Sequence, residues 1–116
     1  MFLSLSSMSP VDFRGLGIFD YTGGQSLSSS VAAVEVKPGA RHAEAWSRRS
    51  DKYYVVSRGE ILFVLDGESH RMKAGDFCFV KKGRRFSYSN EGSELAVLIL
   101  VHTPSIDLRE EVFVGE

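Results

Sequence analysis

Lys52, Tyr54, Tyr88, Cys78 and the histidines His42, His70 and His102 are the side chains of this 116-residue chain best suited to chemistry near neutral pH. A lysine whose charge is buried becomes a base or a Schiff-base nucleophile, so Lys52 and its near neighbour Tyr54 are the catalytic candidates. The bland alternative for Lys52 is to snorkel to solvent or pair with Asp51 or Glu44. No acid and base stand at a diagnostic spacing in the sequence. His42 and Glu44, two apart on a strand, share a face; a bulge in that strand would let them stand in for the pair Ala45 and Ser47, but their parity, which alternates with that of 45 and 47, argues against it. With Asp51 and His102 they are the remaining residues from which an unusual metal site could be built. The histidines are expected at the surface or rim, His70 beside a hairpin turn.

Cys78 is the single cysteine. It excludes an internal disulfide or a Cys/His metal knuckle, points to a reducing cytoplasm, and reads as a small buried hydrophobe. Hydrophobic residues make up 43% of the chain and charged residues 25%, the balance of an ordinary folded domain rather than of disorder or a membrane span. The net charge of −1 supplies no field for polyanions, which argues against a nucleic-acid partner. MFLSLSSMSP lacks a basic start and a cleavage site and reads as a flexible N-terminus over residues 1–10, with one domain over 11–116. The apolar run Leu95 to Val101 is far below the ~20 residues of a membrane-spanning helix, so no membrane partner is expected.

The elements that must position these residues are strands. Apolar and β-branched clusters recur between turns: SSSVAAVEV, KYYVV, EILFVL, ESHRMK, DFCFV, RFSYS and ELAVLILVHTP. Asp66-Gly67 suits a two-residue hairpin turn because both residues tolerate positive φ. No window sustains a 3.6-residue apolar period, so little helix is expected. VDFRGLGIF reads as an edge strand, and IDLREEVFVGE as either a helical turn or a last strand. Short strands joined by tight turns close into a sandwich or a jelly-roll barrel. The edge strands suggest a homodimer.

Glycine spacing adds a resemblance. Gly39, five residues, Ala45, one residue, Ser47, four residues, Lys52, six residues and Gly59 form one series. Gly75, five residues, Lys81, one residue, Gly83, two residues, Phe86, three residues and Asn90 form another. These series, with Pro38, Asp66, Gly67, Asp76 and the final HTP, resemble the two signature motifs of the cupin superfamily over residues 38 to 104. The resemblance implies an all-β, single-domain cupin-type jelly-roll barrel. It also implies metal-ligand positions, and here these hold Ala45, Ser47, Lys52 and Phe86. None is imidazole, carboxylate or thiolate, so no metal or other cofactor is expected.

Alternation places Lys52, Tyr54, Val56, Phe86 and Tyr88 inside with Ala45 and Ser47, beside Phe63, Cys78 and Val80. Trp46 is expected at the rim as a stacking surface. Arg48, Arg49, Lys81, Lys82, Arg84 and Arg85 either converge on the barrel mouth to hold an anion or serve solubility. The favoured function is a metal-free cupin that binds a small organic ligand, neutral or anionic, through Trp46, Ser47, Lys52, Tyr54, Arg84, Phe86 and Tyr88. The alternatives are an isomerase, epimerase or lyase working through Lys52 and Tyr54, and a structural dimerisation module.

Overall fold

The computed structural model describes residues 1–116. Its strands are β1 (Val11–Phe13), β2 (Leu16–Asp20), β3 (Ser30–Val36), β4 (Arg41–Ser47), β5 (Asp51–Arg58), β6 (Glu60–Leu65), β7 (Glu68–Lys73), β8 (Phe77–Val80), β9 (Phe86–Ser89), β10 (Ala96–Thr103) and β11 (Glu111–Phe113). They form a six-stranded sheet in the order β1-β2-β3-β10-β5-β8 and a five-stranded sheet in the order β11-β4-β9-β6-β7. Every pairing is antiparallel. The two sheets face one another as a jelly roll.

Local chemistry explains the turns. Asp66 and Gly67 have φ of 48° and 83°, the positive values that a two-residue hairpin between β6 and β7 requires. VDFRGLGIF is two strands rather than one, because Arg14 and Gly15, with φ of 53° and 93°, reverse the chain between β1 and β2. The tail takes both expected forms in succession. A 3-10 turn over Leu108–Glu110, capped by the Asp107 carboxylate accepting from the Arg109 N–H at 3.0 Å, leads directly into β11. The turn at Lys82-Gly83 joins strands of different sheets, so it carries the chain across the barrel from β8 to β9. There the Gly83 N–H donates to the Ser47 carbonyl at 2.8 Å.

Inward side chains change character along each strand. On β10, Ala96, Leu98 and Leu100 lie in the core and His102 follows them. On β5, Val56 and Tyr54 are in the core and Lys52 continues the same row. The apolar end is filled by Val34, Val36, Ile61, Phe63, Phe86 and their neighbours, with the Tyr54 and Phe63 rings 5.1 Å apart edge to face. Complete burial of each large apolar side chain contributes roughly 1.5–3 kcal/mol. Asn90, which closes the second glycine series, is wholly structural. Its amide donates to the Val36 and Glu94 carbonyls at 2.8 and 2.7 Å and its oxygen accepts from the Gly92 N–H at 2.9 Å. Packing thus anchors one end of the barrel and leaves the polar row at the other.

Candidate functional site

The polar row meets at a pocket of about 250 Å³ between the two sheets, thirteen of whose nineteen lining residues are hydrophobic. His42, Lys52, Tyr54, Tyr88, His102 and Glu111 supply most of its polarity. An apolar cavity with a few converging polar groups is the usual make-up of a small-molecule site.

Register accounts for the first contact. Lys52 and His102 are directly opposed on β5 and β10, and Lys52 Nζ lies 2.8 Å from His102 Nε2. An ammonium has no lone pair, so it donates and the imidazole accepts, which leaves the His102 proton on Nδ1. Glu111 arrives from the facing sheet, where β11 pairs with β4, and Lys52 Nζ donates to its Oε1 at 2.5 Å. The two side chains of this ion pair are only 3% and 6% exposed. Burial lowers the Lys52 pKa and the Glu111 charge opposes the shift. The second Glu111 oxygen, Oε2, is buried and has no hydrogen-bond partner.

His42 owes its place to a β-bulge. The pairing of β4 with β9 shifts register between His42 and Ala45, so that His42, opposite Tyr88, faces inward together with Ala45, opposite Phe86. Its ring packs among Phe86, Tyr88, Phe113 and Phe13, with centroids 5.0, 5.2, 5.7 and 6.3 Å away. Nδ1 lies 2.6 Å from the Ala43 carbonyl and so donates to it. Nε2 therefore keeps its lone pair. Burial, aided by the Lys52 charge and opposed by the Ala43 hydrogen bond, lowers the His42 pKa to about 4. Burial and the Lys52 charge lower that of His102 to about 3. Both rings are neutral at pH 7. Burial raises the pKa of the Tyr54 and Tyr88 phenols, which keep their protons.

Several expectations are corrected by this geometry. His42 and His102 are not rim histidines: His102 is 4% exposed and His42 is walled in by aromatic rings, whereas His70 is exposed. Lys52 pairs with neither Asp51 nor Glu44. Asp51 accepts from the backbone N–H of Lys82 at 2.9 Å, and Glu44 is exposed. Among the expected ligand contacts, Lys52, Tyr54 and Tyr88 line the pocket. Ser47 and Phe86 are buried beside it, the Ser47 hydroxyl accepting from the Ser50 and Arg49 N–H groups at 2.9 and 3.2 Å. Trp46, alternating with them, faces outward under the Arg48 guanidinium at 5.5 Å. Arg84 is exposed and paired with Asp66, so it does not reach the pocket. Cys78 is half-buried, and its pKa is raised by burial.

Glu111 is absent from the sequence-derived candidates. Extended backbone over EVF would have put Glu111 and Phe113 on one face, but nothing local shows that this face closes the barrel.

The metal-ligand positions implied by the cupin resemblance do not fit an ion. Ala45 and Phe86 have no donor atom, Ser47 is committed to the backbone, and Lys52 presents a cation. No three His, Cys, Asp or Glu side chains are grouped to replace them.

Fold and site together define a small jelly-roll protein with an internal pocket lined by apolar and ionisable side chains. Residues 32–102 match the family model described as the cupin domain, and the chain belongs to that family. A protein of Aquifex aeolicus is 38% identical over 62 residues, 53% of this chain and 50% of its own. The chain spans about half the length of the curated relatives it matches. Among solved structures, Pac13, a nucleoside dehydratase, superposes with a TM-score of 0.83 at 24% identity, covering 98% of this chain and 90% of its own. A sugar phosphate isomerase from Silicibacter pomeroyi superposes with a TM-score of 0.78 at 23% identity over 89% and 75% of the two chains. At these identities the likeness is one of fold.

Proposed function

We propose that the chain is a metal-independent enzyme of the lyase or isomerase kind, which moves protons on a small polar organic molecule bound in the pocket. The observation that carries this is His42. Its tautomer is set by the Ala43 carbonyl, its Nε2 lone pair is free, and it is neutral at physiological pH. A neutral ring with an open lone pair is the state in which a histidine accepts a proton. Tyr88, directly opposite it, and Tyr54 keep their protons and serve as acids, while the unpartnered Glu111 oxygen accepts from a hydroxyl or N–H of the ligand.

Pac13 as a nucleoside dehydratase, and its Streptomyces form with uridine, support ribosides and sugars as the first compounds to try. A Lys52 charge neutralised by Glu111 disfavours a strongly anionic group in the depth of the pocket. The test is a thermal-shift screen of nucleosides and sugars, followed by product analysis of the hits by mass spectrometry. His42→Gln is expected to keep its fold and lose turnover by about 10²–10⁴-fold, the usual share of a general base. Ligand binding with no conversion by either protein would leave a binding module and sink the enzyme.

We infer further that the protein pairs with a second copy through the outer face of the six-stranded sheet. Val55, Phe77 and Phe79 are 38%, 58% and 40% exposed there, and Tyr53 packs against both phenyl rings. A two-fold axis sets the same patch of each copy face to face, so an exposed apolar patch can be covered by its own equivalent.

A further inference from the structure

Lys52 has two different proton acceptors in contact with one nitrogen. Glu111 Oε1 is 2.5 Å from Nζ and His102 Nε2 is 2.8 Å away, and the nitrogen adjoins the pocket rather than bulk water. An ammonium that becomes an iminium must lose two of its three protons. The two acceptors match that requirement. Charge neutralisation needs only the carboxylate, while a second acceptor also satisfies one more ammonium proton. The cluster contains one more acceptor than charge neutralisation demands, and it is a neutral imidazole.

We propose that Lys52 is an imine-forming lysine and that the pocket takes small aldehydes or ketones. This rests on the pocket being a small-molecule site, as argued above, and deepens it by naming the substrate class. Glu111 accepts one proton from Nζ, and the freed lone pair attacks the carbonyl carbon, forming the C–N bond as the C=O π bond breaks. The carbonyl oxygen takes up that proton to give a carbinolamine. A second proton passes from nitrogen through His102 or Glu111 to the hydroxyl, the C–O bond breaks, and water leaves. The product is an iminium with one N–H and a single positive charge, so charge is conserved and the Glu111 carboxylate keeps a cationic partner. Burial, which lowers the Lys52 pKa, eases the first proton transfer.

The experiment is reductive trapping. The full chain is incubated with propanal or hydroxyacetone and cyanoborohydride near pH 7, and alkylation is mapped by peptide mass spectrometry. Lys37, Lys73, Lys81 and Lys82 are all exposed and serve as internal standards. Ordinary access would modify these four first. An imine-forming Lys52 is instead alkylated about tenfold faster than any of them, despite its burial. Alkylation of the exposed four with Lys52 untouched, or labelled no faster, overturns the proposal. The wild-type measurement stands without any variant. Because trapping is read at Lys52 and turnover is read through His42, failure of one leaves the other intact.

Discussion

At the residue scale, the site is built from histidines kept neutral by burial. Free imidazole titrates near 6.5, whereas His42 titrates at about 4 and His102 at about 3. Between those values and 6.5 the unfolded chain binds protons that the folded chain refuses, so stability is full above about pH 6.5 and falls as the pH drops toward 4. The His42 shift alone corresponds to about 3 kcal/mol over that window. Thermal midpoints measured from pH 7.5 to 4 should therefore decline, and His42→Gln should flatten the slope. An equal slope in the variant would mean that His42 takes up its proton as readily in the folded chain as in the unfolded one. Lys52 and Glu111 obey a different rule: leaving one buried charge without its partner costs about 3–5 kcal/mol, more than the pair itself contributes.

At the element scale, β11 does more than its three residues suggest. It carries Glu111 to Lys52 and Phe113 to His42, and the Arg14 guanidinium clamps it by lying 4.2 Å from the Phe113 ring while pairing with Glu116. A chain ended at Ile106 retains the apolar core but leaves Lys52 charged and unpaired inside the barrel. Such a truncation is expected to fold with a lower thermal midpoint and to lose every pocket ligand found in the screen. Undiminished ligand binding would show that the site does not need the strap. The glycine between β5 and β6 is constrained in another way. Gly59 has φ of 75°, and an added Cβ would fall 2.7 Å from the Leu95 carbonyl oxygen, so its place in the first glycine series reflects backbone geometry and not chemistry.

At the scale of the whole molecule, the two sheets differ in what their outer faces show to water. β7, the edge of the five-stranded sheet beyond β6, is exposed at Glu68, Ser69, His70 and Arg71, which is the polar dressing of a solvated edge. β8, the corresponding edge of the other sheet, presents Phe77 and Phe79. Light scattering is expected to give the mass of two chains, and Phe77→Lys with Phe79→Lys a single one with the pocket chemistry retained. A wild-type monomer at micromolar concentration would remove the inferred pairing.

Alternation and turn chemistry, both local properties, were enough for the sequence to determine most strands, though not the split of VDFRGLGIF or the form of the tail, together with the Asp66-Gly67 hairpin and the inward row Lys52, Tyr54, Val56. The family frame of glycines was legible for the same reason, since each marks a backbone need that one residue meets by itself. The row Ala96, Leu98, Leu100, His102 was equally open to parity, and only the rule that histidines favour surfaces hid it. Parity argued against an inward His42; a bulge in β4 turned its side chain inward, and whether a bulge forms is decided by pairing with β9. Tertiary structure alone decided the meeting of Lys52 and Glu111, fifty-nine residues apart. Such a contact depends on which sheet edges face each other, and no short stretch of chain carries that information.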